Sequence, residues 1–294
     1  MNHKTKALWA LFAISILWGT TWFVSKLTIQ YIPPLQMSAI RQTTAGLILI
    51  IYFFLKGEKI PSFSDLKFHF LMGFLLISCS NGLTTWAIKY IPSYLGALLS
   101  SLMPFLMLIE NYLFTKQKIK PIALIGLLIG FLGVALLMSS FIEDFSNDYF
   151  LFGIVLCISG VLTWTTGTIL TVQNKRQLDP YTGIGWQMFF GGLILFASVY
   201  ATGQHVPIQT VPLQTWLWIC YLILIGSIFC FMCYLYSLKY LPLDFVSIYV
   251  YVNPLIALIM GILFLNEKLT WSIILGSLVI LAGVYTVKKV SINS

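Results

Sequence analysis

Charge is scarce in this chain. Lys, Arg, Asp and Glu make up 9% of its 294 residues, against roughly a quarter in a soluble domain. That is too little to cover a water-facing surface. Acidic side chains number only nine and histidines three. His3, His69 and His205 fall at the ends of apolar runs or between them. No Ser/His/Asp set, no pair of carboxylates inside an apolar run and no metal-ligand cluster can be assembled from what is left. An enzyme is therefore not expected, nor is a metal or other cofactor. A phosphate-binding Gly-rich loop ending in Lys-Ser/Thr is also missing, which excludes direct drive by ATP. The five cysteines, Cys79, Cys157, Cys220, Cys230 and Cys233, all lie inside apolar runs. They read as small buried apolar residues, not as a disulfide framework. Connections are short throughout, so no loop is long enough to hold a soluble domain.

What is abundant is apolar length. Hydrophobic residues make up 59% of the chain and the mean hydropathy is +0.91. Runs near the ~20 residues needed to cross a bilayer recur from end to end. Ten spans are predicted, at 7–29, 34–55, 69–90, 93–115, 120–140, 150–172, 180–202, 214–238, 243–265 and 270–288. A backbone in hydrocarbon must satisfy its own hydrogen bonds, so these read as helices. Alternating short segments, the mark of a membrane β-barrel, do not occur. The first span is too long for a signal-peptide core, and no small-x-small site follows it. It is expected to stay in the protein.

The net charge of +8 does not mark a nucleic-acid binder, because the positive residues sit in alternate connections and form no single stripe. With the N-terminus inside, one side collects Lys4, Lys6, Lys56, Lys59, Lys67, Lys116, Lys118, Lys120, Lys175, Arg176, Lys239, Lys288 and Lys289. The other holds only Lys89 and Lys268, and one of its loops carries Glu143, Asp144 and Asp148. The positive-inside rule then places both termini in the cytoplasm.

The chain repeats itself. At an offset of 150 residues Ala87–Pro92 ("AIKYIP") meets Ser237–Pro242 ("SLKYLP"). Pro104 meets Pro254, Lys118 meets Lys268, Gly126 meets Gly276 and Gly133 meets Gly283. Nearer the start of each half the offset is 146, which pairs Trp18 with Trp164, Pro34 with Pro180 and Arg41 with Gln187. Residues 1–143 and 144–294 thus read as two five-helix units. Five is odd, so the second unit enters the bilayer from the opposite face. Inverted repeats of this kind are characteristic of alternating-access transporters.

The "WGTTW" of Trp18–Trp22, the run Pro254–Val284 ("P…LFLNEKL…G…AGV") and its first-half counterpart Pro104–Val134 resemble the EamA-type permeases of the drug/metabolite transporter superfamily. The likeness covers both halves. It implies an all-α integral membrane protein of ten helices. Helices 1–4 and 6–9 would line a central cavity, with helices 5 and 10 at the edge. It also implies a multi-pass protein of the cell membrane (the inner membrane in bacteria) that exports or exchanges small organic molecules, often amino acids. The family's Glu at the end of the second-half motif is Glu267; the first-half position is Gln117. Glu267, followed by Lys268, reads as a helix end.

Candidate site residues follow from polar or aromatic groups at depth. Pro104 and Pro254 each interrupt a span about eleven residues in, which frees the carbonyls of Ser100 and Val250. They read as hinges or cavity-lining breaks, or as plain packing kinks. Arg41 lies seven residues into its span, either as an anchor for a substrate carboxylate or snorkelling outward. Lys26 reads as snorkelling. Glu110 is the one carboxylate inside a span proper, a candidate for proton coupling or an interfacial residue. Trp9 and Trp216 suit the interfacial belt. Trp18 and Trp164 sit deeper and are followed by small polar residues, Gly19, Thr20 and Thr21 in the first copy. With Trp22, Trp86, Tyr94, Tyr249, Tyr251, Asn253 and Asn81 they form a candidate cavity wall. An aromatic cavity with one fixed positive charge suits a small zwitterion such as an amino acid. A flat organic cation suits the aromatics and not Arg41. A flippase for lipid-linked substrates is a further alternative. Proton exchange and downhill flux both stay open as the drive. Partners are a small-molecule substrate and the bilayer, and the glycines of helices 5 and 10 offer close contact within one chain or in a homodimer.

Overall fold

The computed structural model describes residues 2–116, 121–174, 178–241, 246 and 249–292. Gln117, Lys118, Lys120, Lys175, Arg176 and Pro242, and the side chains of Tyr251, Lys288 and Lys289, lie outside that description. Every regular element among the described residues is helical. Eight helices are long and apolar enough to cross a membrane, and two shorter apolar helices follow them. Their outward faces are apolar. Phe54, Leu128, Leu132, Leu217 and Leu263 are all more than half exposed, a surface suited to lipid and not to water. The protein is a multi-pass membrane protein.

We number the helices α1 (His3–Thr28), α2 (Pro34–Leu55), α3 (Phe63–Ala87), α4 (Ser93–Ser100 and Met103–Thr115), α5 (Pro121–Met138), α6 (Asp148–Gln173), α7 (Pro180–Thr202), α8 (Leu213–Tyr240), α9 (Tyr249–Leu265) and α10 (Trp271–Ile292). Their ends are written locally. Asn2, Ser62, Asn147 and Asp179 cap the N-termini of α1, α3, α6 and α7 through side-chain oxygens. Pro34 and Pro180 occupy first turns, where a missing N–H costs nothing. Gly203, at φ +64°, ends α7 in the left-handed region.

Two departures from the expected spans have local causes. α3 begins at Phe63, six residues before His69, because Ser62 Oγ accepts from the Asp65 N–H and nucleates a polar first turn ahead of the apolar run. α4 is not one kinked rod. It stops at Ser100 and restarts at Met103. Pro104 sits in the first turn of the second piece, so it is compatible with that piece and incompatible with continuation from the first. Pro254, its expected counterpart, stays inside α9. The prolines therefore differ, one at a break and one inside a helix.

Two stretches, Gly73–Asn81 in α3 and Leu222–Phe229 in α8, widen to π-helical hydrogen bonding. Such stretches are rare and are often found at functional sites.

Helix packing is set by backbone-to-backbone approaches. α2 lies on α7, where a Cβ on Gly46 would fall 2.4 Å from the Phe189 nitrogen. α5 lies on α10, where a Cβ on Gly283 would fall 2.5 Å from the Gly130 nitrogen. The small-residue faces of α5 and α10 thus meet each other within the chain. α1 packs on α8 and α9, and α6 packs on α3 and α4.

The turn between α3 and α4 is tied from outside. Glu267 folds back after Asn266, whose φ is +55°, and its carboxylate accepts from the Ser93 N–H (2.7 Å) and hydroxyl (3.1 Å). It caps α4 from a distant part of the chain. Tyr94 donates to the Lys268 carbonyl at 3.3 Å. Lys26 Nζ donates to the carbonyls of Ile88 and, at 2.9 Å, Ile91. Its charge is therefore spent on the carbonyls at the end of α3, where a cation is favoured. Ser93 is fully buried, so Glu267→Ala leaves its N–H without a partner. A loss of about 1–3 kcal/mol is expected, read as a lower thermal midpoint of the detergent-solubilised protein. Glu267→Gln keeps an acceptor and is expected to recover part of that loss. An unchanged midpoint for Glu267→Ala would show the cap to be energetically silent.

Candidate functional site

One cavity of about 190 Å³ lies among α1, α2, α3, α4, α6, α8 and α9. α1 contributes Trp18, Thr21, Trp22 and Ser25, one face at helical spacing. α2 contributes Arg41. The end of the π-helical stretch of α3 contributes Ser80 and Asn81, followed by Thr84, Thr85 and Ile88. Ala97, Ser100, Ser101 and Met103 border the break in α4. Val161 and Trp164 come from α6, Phe231 from α8, and Tyr249, Val250, Asn253 and Pro254 from α9.

Arg41 is the charged residue of this set. It is 5% exposed, and its Nε–H donates to Ser227 Oγ at 2.8 Å. Among the described residues no carboxylate pairs with it. Ser227 belongs to the π-helical stretch of α8, as does Gly226, whose carbonyl accepts from Trp18 Nε1 at 3.0 Å. A Cβ on Gly226 would stand 2.9 Å from Thr21 Cγ2 and 3.1 Å from Arg41 Nη2. Glycine there gives the guanidinium its room. The head group is thus held at one nitrogen, and its two terminal nitrogens are left to act together.

The Trp18 ring meets Phe231, Tyr234 and Tyr249 at centroid distances of 5.3, 5.5 and 5.2 Å. Trp22 lies over Gly96, within 2.7 Å of where a Cβ would be. Four of the lining hydroxyls are turned to their own helices. Thr21 donates to the Trp18 carbonyl, Thr84 to Ser80, Ser100 to Gly96 and Ser101 to Leu98. Their lone pairs remain free to accept. Asn81 Oδ1 is fixed by Gln42 Nε2 at 3.0 Å. Asn253 has no hydrogen bond among the described residues, and its Oδ1 is buried.

Of the residues singled out in the sequence, Trp18, Thr21, Trp22, Arg41, Asn81, Ser100, Trp164, Tyr249, Asn253 and Pro254 share this cavity. Trp86, Tyr94, Gln187 and Pro104 do not border it. Trp86 packs against Phe152, Tyr94 is buried with its hydroxyl on Lys268, and the Gln187 backbone meets Gly73 of α3. Glu110 lies outside the cavity as well. It is 8% exposed, with Oε1 accepting from Thr166 at 3.2 Å and Oε2 buried without a partner among the described residues. Sequence reading passed over Ser25, Ser80, Thr84, Thr85 and Ser101. The available signal was spacing: Ser80, Thr84 and Thr85 extend the Asn81 face of α3 at helical intervals. Among the described residues no three His, Cys, Asp or Glu side chains converge as metal ligands would.

A solved crystal structure superposes on this chain with a TM-score of 0.68, covering 99% of each chain at 14% identity, a likeness of fold. YedA of Escherichia coli, described as an uncharacterized inner membrane transporter, is 29% identical over 86% of this chain and 80% of its own. YvbV of Bacillus subtilis, described as an uncharacterized transporter, is 26% identical over 98% of this chain and 93% of its own. The protein PecM of Dickeya dadantii is 27% identical over 94% of this chain and 90% of its own. The model of the EamA-like transporter family matches twice, over residues 5–139 and 151–288. Together the two matches span nearly the whole chain, and the protein belongs to the EamA-like transporter family.

Proposed function

We propose that this transporter exports small organic metabolites, amino acids or related zwitterions, by alternating access through the central cavity. The observation that carries the reading is a buried guanidinium with no carboxylate partner among the described residues, facing an aromatic-walled cavity. A charge at such depth is costly to place, which makes it a functional candidate by default. Its two free nitrogens suit a substrate carboxylate, which arginine grips in a fork. Organic cations suit it poorly, since Arg41 repels them. A lipid-linked substrate is less favoured because the polar groups converge on an interior cavity.

In this reading the ten helices are two inverted five-helix repeats, residues 1–143 and 144–294. Several observations support it. The family model matches two successive segments. α1 packs on α8 and α9 as α6 packs on α3 and α4. The two π-helical stretches occupy corresponding helices, α3 and α8. The distribution of lysine and arginine favours cytoplasmic termini. Pro254 in the cavity wall and Pro104 at the break in α4 are the points at which we expect the two halves to flex.

Flux into proteoliposomes tests the reading. Saturable, substrate-dependent uptake or counterflow is expected for at least one member of an amino-acid panel. Absence of flux across that panel and a wider metabolite set would overturn it.

Coupling is assigned to Glu110. Its carboxyl is buried between α4 and α6, with one oxygen on a threonine and one unpartnered. Glu110→Gln keeps the shape and the hydrogen-bonding capacity but cannot titrate. It is expected to flatten the pH dependence of flux while net downhill transport persists. A wild-type pH profile in Glu110→Gln would return the residue to a packing role.

A further inference from the structure

The cavity has a donor end at Arg41. It also has an acceptor end, on α9. Asn253 borders the cavity, has no hydrogen bond among the described residues, and buries Oδ1 away from solvent. One turn earlier on the same helix is Val250, also at the cavity. Pro254 follows it by four residues and has no N–H to give, so the Val250 carbonyl loses its ordinary helical partner. Asn253 Oδ1 therefore stands without a donor among the described residues, beside a carbonyl that lacks the N–H four residues on. Proline alone explains neither the asparagine nor its lack of a partner. A packing asparagine inside a membrane helix normally finds a bond to a neighbouring helix. Gln42 and Asn81 do so here; Asn253 does not.

We propose that Asn253 Oδ1 and the Val250 carbonyl receive the ammonium group of a zwitterionic substrate whose carboxylate lies on Arg41. The inference rests on the cavity being the substrate site and goes further, because it requires both charged ends on one ligand. The aromatic ring of Tyr249, on the same wall, adds a face that attracts a cation. No carboxylate among the lining residues competes for the ammonium. Neutral acceptors can hold it while leaving the cavity's net charge at that of Arg41. A substrate with only one of the two groups leaves one end of the cavity unpaired. A buried polar group left unpaired discriminates far more strongly than a lost apolar contact.

Matched probes test this on the purified full-length protein in detergent, by ligand-induced thermal stabilisation. Two triples serve. L-phenylalanine is set against 3-phenylpropanoate and phenethylamine; L-leucine against 4-methylpentanoate and isoamylamine. In at least one triple the amino acid is expected to bind at least about tenfold more tightly than both analogues. Asn253→Leu, similar in size and without an acceptor, is expected to shrink the advantage over the carboxylic acid to within about threefold. An acid that binds as well as its amino acid overturns the acceptor end while leaving the Arg41 anchor standing. So does an advantage undiminished in Asn253→Leu. An amine that binds best overturns both ends. Silence from all six probes overturns this inference, while the amino-acid reading beneath it stands or falls separately with the proteoliposome panel. The wild-type comparison needs no variant, so misfolding of Asn253→Leu would not rescue the proposal.

Discussion

Replacing Arg41 with alanine is expected to abolish substrate flux and to leave the protein folded and inserted. The two effects separate because of where the charge sits. Arg41 is 5% exposed and spends one N–H on Ser227. Placing an arginine deep in a membrane helix costs roughly 2.5–3.5 kcal/mol on insertion scales. Alanine removes that cost and leaves behind a serine hydroxyl, a neutral group that can turn to its own helix as its neighbours do. The thermal midpoint is therefore expected to hold or rise. Function moves the other way. Truncating one side of a buried hydrogen-bonded charge pair costs about 2–5 kcal/mol, which is roughly 30-fold to several-thousand-fold in binding. Lysine is not expected to rescue, because an ammonium cannot hold Ser227 and a carboxylate with the same fork. Flux assayed beside a melting curve checks both halves. Unchanged flux in Arg41→Ala would remove the residue from the site.

The second large effect is structural. Gly46→Leu is expected to disrupt the α2–α7 contact. Its Cβ alone would lie 2.4 Å from the Phe189 nitrogen and 2.8 Å from the Gly185 carbonyl oxygen. Those are backbone atoms of a facing helix, so no rotamer change relieves the clash. Ordinary overpacking costs about 1–3 kcal/mol; pushing two helices apart is expected to exceed it. Arg41 lies on the same helix, little more than one turn away, and moves with α2. We therefore expect Gly46→Leu to lower both the thermal midpoint and the flux. A midpoint within a degree or two of wild type would show that α2 and α7 can separate cheaply.

Much of the fold was legible because lipid imposes a simple rule. A long apolar run is a helix, and its ends are marked by Asn, Ser, Asp, Pro and Gly with known capping roles. The departures have local causes. Ser62 and Asp65 start α3 in a polar stretch that hydropathy discounts. Pro104 ends up at a helix start because the chain broke three residues earlier, and both outcomes look alike in sequence. The π-helical stretches leave no mark in composition, since a run such as Leu222–Phe229 is apolar whichever carbonyl each N–H meets. The site was legible where a residue type is costly or conspicuous at depth. Arg41, Trp18, Trp164 and Asn253 stand out from their surroundings. Ser25, Ser80, Thr84 and Ser101 do not, because a small hydroxyl, which its own helix can satisfy as it does for Thr84 and Ser101, is at home anywhere in a membrane protein. Trp86, Tyr94 and Gln187 were equally conspicuous, and helix rotation carries them to other contacts. That rotation is set by packing partners far away in the sequence.

The turn between α3 and α4 has one further consequence. Lys26 and the Glu267–Lys268 pair secure it from two distant parts of the chain, the latter also through Tyr94, and most of the bonds involve backbone atoms of Ile88, Ile91, Ser93 and Lys268. The turn is short, so it is expected to move as a unit, with these bonds broken or formed nearly together. Released singly, each leaves a strong donor or acceptor without a partner while the rest still hold. Under the alternating access proposed above, that end of the bundle is then expected to be all-or-none. Two distinct states would be favoured over a continuum of partial openings, and such a barrier would resist leakage of small ions between transport events.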